Sequence, residues 1–276
     1  MVAQMKAAYI GIDILYPALT SLYDTGCEII KIFSCRTDNY TEFNTKTLSF
    51  ASEHGIPVQL DRIRKEDLHE LVKMGCDFAL CAGYYHIIPV IDELRIVNIH
   101  PACLPIGRGA WPMPVTILKG LTESGVTMHH LEKELDTGSI ILQEKCPVYP
   151  DTDDLVTLTA RQWQLIPGMI KTLVSDFDNL WNSAVPQGDG EYWAMPSPSD
   201  YTVTSDFDFE QADIILRAFR GYECFYINKE NNEKLELIDG YACRSEDAVP
   251  DPPSSLKIKN GYILCERVRR INDGTI

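Results

Sequence analysis

Short apolar runs and helix-like periods alternate along the first third of the chain. Four apolar runs have the length of a strand, and they lie at residues 7–12, 27–33, 55–58 and 77–81. Between them, apolar residues recur with helical spacing at residues 16–24, 50–54 and 66–74. Strands that alternate with helices at this spacing are joined by right-handed crossovers. The pattern therefore predicts an α/β fold built on a mostly parallel sheet.

A further apolar run, residues 94–97, is followed at once by the polar side chains of Asn98 and His100. Residues two apart on a strand face the same side, so we expect the carboxamide and the imidazole to face one space. Polar groups at the carboxyl end of a strand, before an irregular loop, are typical of ligand sites in open α/β sheets. An isolated Asn-x-His pair would favour a structural role, with Asn98 capping the loop and His100 packed in the core.

A second motif lies further along the chain. Residues 125–130, Gly-Val-Thr-Met-His-His, alternate like a strand, and Asp-Thr-Gly-Ser-Ile follows at 136–140. Together with Asn-Ile-His-Pro at 98–101, Leu-Pro at 104–105 and Arg-Gly at 108–109, they resemble the signature of the folate-dependent formyltransferases. That family contains methionyl-tRNA, glycinamide-ribonucleotide and nucleotide-aminosugar formyltransferases. The resemblance covers about the first 180 residues.

The resemblance implies the Rossmann-like sheet of the formyltransferase fold, an N-formyltransferase with 10-formyltetrahydrofolate as cosubstrate, and a catalytic trio of Asn98, His100 and Asp136. Asn98 offers an N–H to the oxyanion that forms when an amine attacks the formyl carbon. His100, with an ordinary pKa near ~6.5, can accept the proton of that amine. Asp136 would orient His100 or an intervening water and stabilise the imidazolium. The alternative for Asp136 is a turn-forming role in Asp-Thr-Gly.

Two loops match the family positions that flank the folate. The residues concerned are Tyr85, His86, Ile87 and Ile88 in the first loop, and Glu132 and Leu135 in the second. A pterin ring requires a flat, mostly apolar slot with backbone polar groups at its edge. The alternative is that the aliphatic side chains of the first loop only plug the end of the sheet. Of this set, His86 is the residue expected to touch no more than the solvent end of the folate.

The acceptor amine must approach from the side opposite the folate, past His100, where Arg108 and Trp111 lie in the following loop. An Arg offers a planar fork of donors that suits a pyrophosphate or sugar hydroxyls, and a Trp offers a face for stacking. Both have structural alternatives, in which Arg108 ties the loop to the sheet and Trp111 fills the start of a helix. We name both as candidate acceptor-binding residues, with these alternatives open.

Residues 183–200 contain recurring Pro and Gly and therefore predict a connector. It separates a catalytic domain, residues 1–182, from a small domain, residues 201–276, whose strand-like runs broken by turns predict a β-rich fold. This small domain is similar to the C-terminal domain of tRNA- and sugar-directed members of the family. Because so short a segment buries little apolar surface alone, we expect a homodimer to which it contributes surface.

The formal net charge of −15 argues against nonspecific nucleic-acid binding, which depends on Lys and Arg neutralising phosphates. Residues 201–276 carry 14 acidic and 10 basic side chains, hence a net charge of −4. A basic cluster is nevertheless present there, formed by Lys257, Lys259, Arg267, Arg269 and Arg270. We therefore predict formylation of the amino group of a nucleotide-linked amino sugar, with methionyl-tRNA as the alternative acceptor. A noncatalytic folate-binding protein is the third hypothesis, and a hydrolytic deformylase would use the same trio with water as acceptor.

Nine cysteines without a Cys-x-x-C pair predict reduced thiols in a cytoplasmic protein. The first residues have neither the features of a signal peptide nor the length of a membrane span, so we expect no membrane association. His129 and His130 are adjacent, and on a strand they face opposite sides, which prevents them from binding one metal together. The sequence has no His-Glu-x-x-His motif and no zinc-type cluster, and we predict no metal.

Overall fold

The computed structural model describes residues 4–39, 42–244 and 254–270 of the chain. In chain order the helices are α1 Tyr16–Asp24, α2 Thr45–Glu53, α3 Lys65–Lys73, α4 Pro112–Leu118, α5 Leu155–Ser175, α6 Phe177–Asn182 and α7 Phe209–Ala218. The strands are β1 Lys6–Gly11, β2 Glu28–Phe33, β3 Val58–Gln59, β4 Phe78–Ala82, β5 Ile96–His100, β6 Ile106–Arg108, β7 Glu123–His130, β8 Ile140–Pro147, β9 Glu191–Tyr192, β10 Thr202–Thr204, β11 Cys224–Ile227, β12 Lys234–Ile238, β13 Tyr241–Arg244, β14 Ser254–Ile258, β15 Gly261–Cys265 and β16 Arg267–Arg270. The described residues form two compact units, the first within residues 1–110, 123–147 and 161–192 and the second within residues 111–122, 148–160 and 193–276.

The first unit is built on a seven-stranded sheet with the order β3-β2-β1-β4-β5-β7-β8. Neighbouring strands from β3 to β5 are parallel, whereas β5 pairs with β7, and β7 with β8, in antiparallel fashion. A further, parallel pair is formed by β6 and β9. The prediction of an α/β fold with a mostly parallel, Rossmann-like sheet is confirmed.

Both faces of this sheet are covered, and the alternation of side chains along a strand decides which face each residue joins. In β1, Tyr9 packs in a first core cluster with residues of α1 and α5, whereas its neighbour Ile10 packs in a second core cluster with residues of α3. Both side chains are 0% exposed. This double burial explains why the first strands are apolar throughout instead of alternating with polar residues.

The strand order reverses between β1 and β4, because β2 and β3 extend the sheet on one side of β1 while β4 and β5 extend it on the other. Open α/β sheets bind ligands at the carboxyl ends of the strands beside such a reversal. In β5, Ile96 packs in the second core cluster and Ile99 in the first. Asn98 and His100 alternate in step with Ile96, so they face the side of the second cluster at the carboxyl end of β5.

The second unit contains a four-stranded sheet, β10-β11-β12-β16, and a three-stranded sheet, β13-β15-β14. Helix α7 begins with a capping box, in which the Asp208 carboxylate accepts from the Gln211 N–H at 2.9 Å and the Gln211 side chain accepts from the Asp208 N–H at 3.0 Å. The predicted β-rich character of the C-terminal part is confirmed. Helix α4 and the start of α5, which precede the predicted connector, also belong to this unit. The domain boundaries at residues 182 and 200 stay a prediction.

Candidate active site

The predicted trio meets in one cluster of the first unit. Asn98 and His100 lie on β5, and Asp136 lies in the loop between β7 and β8. The Asn98 Nδ2 atom is 3.3 Å from Asp136 Oδ1, and the His100 Nδ1 atom is 3.6 Å from Asp136 Oδ2. His100 and Asp136 are buried, while Asn98 is half-buried. The geometry therefore joins the three side chains, and their catalytic roles stay a prediction.

Two backbone groups of the following loop complete the surroundings of His100 and Asp136. The His100 Nε2 atom lies 2.7 Å from the carbonyl oxygen of Gly107, and the Gly109 N–H donates to Asp136 Oδ2 at 2.9 Å. A carbonyl oxygen can only accept, so we assign the ring proton to Nε2. The neutral ring then keeps its lone pair on Nδ1, the atom that faces the Asp136 carboxylate. Gly109 has a φ of 128°, a conformation that favours glycine and explains the Arg-Gly motif.

His129 is a member of the cluster that the sequence reasoning missed. It lies opposite Asn98 in the antiparallel pairing of β5 with β7. Its Nδ1 atom is 2.7 Å from the His130 carbonyl oxygen, so Nδ1 carries the proton and Nε2 can accept. That Nε2 atom lies 3.0 Å from Asn98 Nδ2 and 3.5 Å from Asp136 Oδ1. The signal in the sequence is the histidine within Gly-Val-Thr…His, part of the family signature, to which the motif alone gives no catalytic role.

Burial and charge set the ionisation of the two central groups. Burial lowers the pKa of His100 below its ordinary value, although the Asp136 carboxylate and the Gly107 carbonyl act in the opposite direction. For Asp136, burial raises the pKa, but His100, His129 and the Gly109 N–H outweigh burial and hold the pKa below its ordinary value. At neutral pH the cluster therefore contains a neutral imidazole, ready to accept a proton, beside an ionised carboxylate.

Both N–H donors of the Asn98 side chain are used inside the cluster. One points to His129 Nε2 at 3.0 Å, and the other points to Asp136 Oδ1 at the longer distance of 3.3 Å. The bond to Asp136 is the longer of the two, although the carboxylate charge strengthens it. Asn98 can donate to a substrate oxygen by releasing that bond.

Polar side chains of β7 and β8, the buried Thr127 and the half-buried Gln143, hold the loop that follows β5. The Thr127 hydroxyl donates to the Ala102 carbonyl at 2.6 Å and accepts from the Leu104 N–H at 3.2 Å. The Gln143 amide donates to the Leu104 carbonyl at 2.8 Å. These bonds satisfy backbone groups that burial would otherwise leave unpaired. They fix the path of the chain immediately after His100.

The residues predicted to contact folate differ widely in their exposure. Ile88 is 7% exposed and packs in the second core cluster, whereas Ile87 is 92% exposed and Leu135 is 53% exposed. Tyr85 and Glu132 are exposed as well. His86 is half-buried, and its ring meets the edge of Tyr84 with a centroid distance of 5.5 Å. The side chain of Ile88 thus belongs to the core, as the plug alternative expected.

The two loops nevertheless fit a folate ring on chemical grounds. Ile88 of the first loop and Leu131 of the second both pack against the second core cluster, on the face of the sheet that Asn98 and His100 share. Ile87 and Leu135 leave apolar side chains in contact with solvent, and covering them with a flat ring would remove that surface from water. The chain therefore offers apolar surface on the loops next to the trio, as a pterin site requires.

The two candidate acceptor residues belong to different units. The Arg108 guanidinium donates to Gln187 Oε1 from Nε at 3.1 Å and from Nη2 at 2.9 Å, and to the Gly188 carbonyl at 3.1 Å. Trp111 lies in the second unit, where its ring packs at 4.8 Å from the ring of Tyr222. Arg108 thus has partners within the protein, as the structural alternative expected, and acceptor binding by both residues stays a prediction.

Comparison with known proteins connects this cluster to a family. A family model described as formyl transferase matches residues 38–170, which include the whole trio. The methionyl-tRNA formyltransferase of Paramagnetospirillum magneticum is 32% identical over 200 residues, which cover 66% of this chain and 64% of that enzyme. The methionyl-tRNA formyltransferase of Anaplasma marginale is 25% identical over 280 residues, which cover 96% of this chain and 91% of that enzyme. These matches support membership of the folate-dependent formyltransferase family.

Solved structures of other proteins share this fold. A sugar N-formyltransferase from Shewanella aligns with a TM-score of 0.66 at 17% identity, covering 85% of this chain and 96% of that one. HypX from Aquifex aeolicus, in complex with tetrahydrofolic acid, aligns with a TM-score of 0.72 at 14% identity, covering 98% of this chain and 45% of HypX. At these identities the likeness concerns the fold alone.

The formyl transferase match and the named relatives agree with the predictions of a formyltransferase and of 10-formyltetrahydrofolate as its formyl donor. The match with the Paramagnetospirillum enzyme spans less than two thirds of that enzyme, 64% of its length. The identity of the acceptor therefore stays a prediction.

Proposed function

We propose that this formyltransferase transfers the formyl group of 10-formyltetrahydrofolate to a primary amine. The observation that carries the proposal is the buried pair of His100 and Asp136, in which the lone pair of a neutral imidazole lies 3.6 Å from a carboxylate oxygen. An amine that gains a formyl group has to lose a proton, and His100 Nδ1 is placed to accept it. The new Nδ1–H then faces Asp136, whose charge stabilises the imidazolium.

Asn98 and the two flanking loops supply the remaining functions in this proposal. When bound, the folate supplies a formyl group on nitrogen that can be transferred to another nitrogen. Asn98 donates an N–H to the formyl oxygen, on which negative charge develops during attack. Ile87 and Leu135 cover the faces of the ring, and the closing of apolar surface around it excludes water from the cluster.

Substitution of the trio tests this function. We expect His100→Asn and Asn98→Ala each to lower kcat/KM by at least ~10². The double variant should lose less than the product of the two single fold-losses, because the effects of residues that act as a unit are not additive. His69→Asn is the matched control, since His69 is an exposed histidine on α3. Near-normal turnover of the His100→Asn protein would remove His100 as the base.

For the acceptor, we propose the amino group of a nucleotide-linked amino sugar. The net charge of −15 opposes the approach of a polyanion. In the basic cluster, Arg269 pairs with the buried Glu236, and Arg270 lies 2.9 Å from Glu233. Two of the five basic side chains are therefore neutralised by carboxylates of the same unit, which weakens the cluster as a phosphate-binding surface. A single small nucleotide needs far fewer cationic contacts than a tRNA.

Methionyl-tRNA is the second candidate acceptor, and a specific observation favours it. Both relatives described above, at 32% and 25% identity, are methionyl-tRNA formyltransferases. The two candidates are distinguished by incubating the protein and 10-formyltetrahydrofolate with a panel of nucleotide-linked amino sugars and, in parallel, with methionyl-tRNA at two salt concentrations. Formylation of a sugar supports the first candidate. Formylation of methionyl-tRNA alone, with a rate that falls steeply with salt, assigns the function to the second.

Assembly and location are proposals of the same kind. We propose a homodimer in which residues 201–276 contribute surface, with at least ~1,200 Å² buried in total. Light scattering that shows a monomer at every concentration would contradict it. We also propose a cytoplasmic location. None of the helices in the described ranges has both the length and the apolar character needed to cross a membrane.

A further inference from the structure

The predicted connector is paired with the two loops that carry the active site. At its start, Val185 and Ile140 exchange two backbone hydrogen bonds of 2.8 and 2.9 Å, immediately after the Asp-Thr-Gly turn. Near its end, the Glu191 N–H donates to the Pro105 carbonyl at 3.1 Å, and β9 pairs with β6. Both contacts lie within the first unit. Between these two anchor points the connector passes the loops on which Asp136 and Arg108 lie.

Gln187 lies at the centre of this segment, and its side-chain amide is saturated. Its Nε2 atom donates to the carbonyl oxygens of Asp136, at 3.0 Å, and of Gly138, at 2.7 Å. Its Oε1 atom accepts from Arg108 Nε and Nη2, at 3.1 and 2.9 Å. A glutamine amide has two N–H groups and two acceptor positions, and all four are used here. The side chain therefore links one active-site loop, through its backbone, to the other, through Arg108.

Each of the linked loops makes a direct contact with the trio. The loop of Arg108 contains Gly107, whose carbonyl accepts from His100, and Gly109, whose N–H donates to Asp136. The other loop holds Asp136 itself, at a φ of 56°. A non-glycine residue in this left-handed region is strained and persists when its surroundings hold it there. A side chain that bonds the Asp136 carbonyl provides such a hold.

We propose that Gln187 is a positioning residue of the active site, which keeps the Asp136 loop and the Arg108 loop in the register where Asp136 faces His100 Nδ1. This inference rests on the proposed function, because the register matters for proton acceptance by His100. Gln187 itself touches no reacting atom. A misplacement of about 1 Å at such a site can cost ~10² in rate.

Two substitutions separate this role from a merely structural tie. Gln187→Glu keeps both acceptors for Arg108 and adds a favourable charge, but it places a carboxylate against the carbonyl oxygens of Asp136 and Gly138. Gln187→Leu removes both halves of the link without adding a charge. The hydrogen bonds from Arg108 to residue 187 survive in the Glu variant. The hydrogen bonds from residue 187 to the carbonyl oxygens of Asp136 and Gly138 are lost in both variants. Gln164→Leu, at an exposed position of α5, is the matched control.

The first measurement needs no substrate. Hydrogen exchange of the Gly109 amide, followed by NMR in the ligand-free protein, reports the bond from Gly109 to Asp136. We expect this exchange to accelerate at least ~10-fold in both Gln187 variants, while the amides of β1 exchange as in the wild type. The β1 amides report global unfolding, so their constancy separates a local opening from a loss of overall stability. Unchanged Gly109 exchange in both variants would overturn the proposal.

The second measurement is the formyl-transfer rate. We expect kcat to fall at least ~10-fold in both variants, with KM for 10-formyltetrahydrofolate within twofold of the wild type, because only the register of the trio changes. Faster Gly109 exchange with an unchanged kcat would show that the hold is irrelevant to catalysis and would overturn the proposal. If Gln187→Leu does not fold, Gln187→Glu alone decides. A wild-type protein that formylates no amine would contradict the proposed function, while the exchange measurement still decides whether Gln187 holds the loop.

Discussion

Replacing Asp136 by Asn tests the proposed chemistry most directly, because the change removes the negative charge and one hydrogen-bond acceptor while keeping the size of the side chain. Asp136 has a φ of 56°, and Asn is one of the few residues that adopt this left-handed conformation readily. Alanine at the same position would add backbone strain to the loss of the carboxylate. The Asn variant therefore reports mainly the electrostatic contribution of Asp136 to a reaction that places a proton on His100.

The magnitude follows from the distance of 3.6 Å between His100 Nδ1 and Asp136 Oδ2. With an effective dielectric constant of about 20, a full charge on the imidazole interacts with the carboxylate by about 4.6 kcal/mol. If the proton is half transferred in the transition state, about 2.3 kcal/mol of stabilisation is lost, which corresponds to about 50-fold in rate. Full transfer would correspond to about 2,000-fold. We expect kcat/KM of Asp136→Asn to fall within this range.

The assay is the initial rate of formyl transfer, followed by the absorbance change as 10-formyltetrahydrofolate becomes tetrahydrofolate, over a range of pH. The Asp136 carboxylate raises the pKa of His100, so its removal should move the acid limb of kcat/KM to lower pH. In a His100→Asn background, Asp136→Asn should cost little more, because its charge acts through His100. Asp178→Asn is the matched control, since its side chain is 79% exposed in a surface ion pair with Arg95.

Two results would refute this reasoning. A kcat/KM of Asp136→Asn within threefold of the wild type, in a folded protein, would show that no charge develops on His100 beside Asp136. An acid limb that moves to higher pH would show that the titrating group is not stabilised by this carboxylate. The melting temperature of each variant, measured alongside, separates either result from unfolding.

Three further predictions follow from single contacts. Gly138→Ala should lower both the melting temperature and kcat, because a Cβ there would lie 1.9 Å from the His130 carbonyl oxygen; Gly168→Ala, with nothing within 4 Å, should lower neither. The pKa of His100 in the folded protein lies below its unfolded value of about 6.5, so the wild type loses up to ~1.4 kcal/mol of stability per pH unit between that value and the folded pKa. His100→Asn should make this loss on acidification smaller, as measured by urea unfolding. Ile87→Ser should weaken folate binding at least ~5-fold in a fluorescence titration with an unchanged melting temperature, because the side chain is already 92% exposed; Met74→Ser, also at an exposed apolar residue, should leave folate binding unchanged.

The fold was predictable where residues close together in the sequence determine the structure, and less predictable where contacts between residues distant in the sequence determine it. The apolar strands and the α/β class followed from local pattern, but the antiparallel pairing of β7 depends on how the chain returns to the sheet. The sequence indicated a helix through residues 50–54, whereas α2 runs over Thr45–Glu53. The reason is Asp13, whose carboxylate accepts from the N–H groups of Lys46 and Thr47 at 2.9 Å each. This cap comes from more than thirty residues away, and no local pattern reveals it.

The active site divides in the same way. Asn98, His100 and Asp136 were found because they lie within motifs whose spacing resembles a family. His129 joins them through cross-strand pairing, which requires the direction of β7. Gln187 was missed because a segment rich in Pro and Gly is typical of a surface connector, and composition does not show which loops it touches. For Arg108, the residue type suggested a ligand, whereas its observed partners are Gln187 and Gly188.

The second unit is assembled from three separate stretches of the chain, and this limits how the protein can be divided. Met113 and Ile117 of α4 are 2% and 3% exposed, and α4 packs against α7, roughly a hundred residues later. A protein shortened at residue 192 would keep α4 but lose α7, leaving apolar side chains of α4 in water. A chimera that takes its C-terminal segment from a relative would likewise need residues 111–122 and 148–160 from the same relative, because these stretches belong to the same unit. Recombination at one crossover point therefore cannot transplant this unit, whereas co-ordinated replacement of all three stretches can.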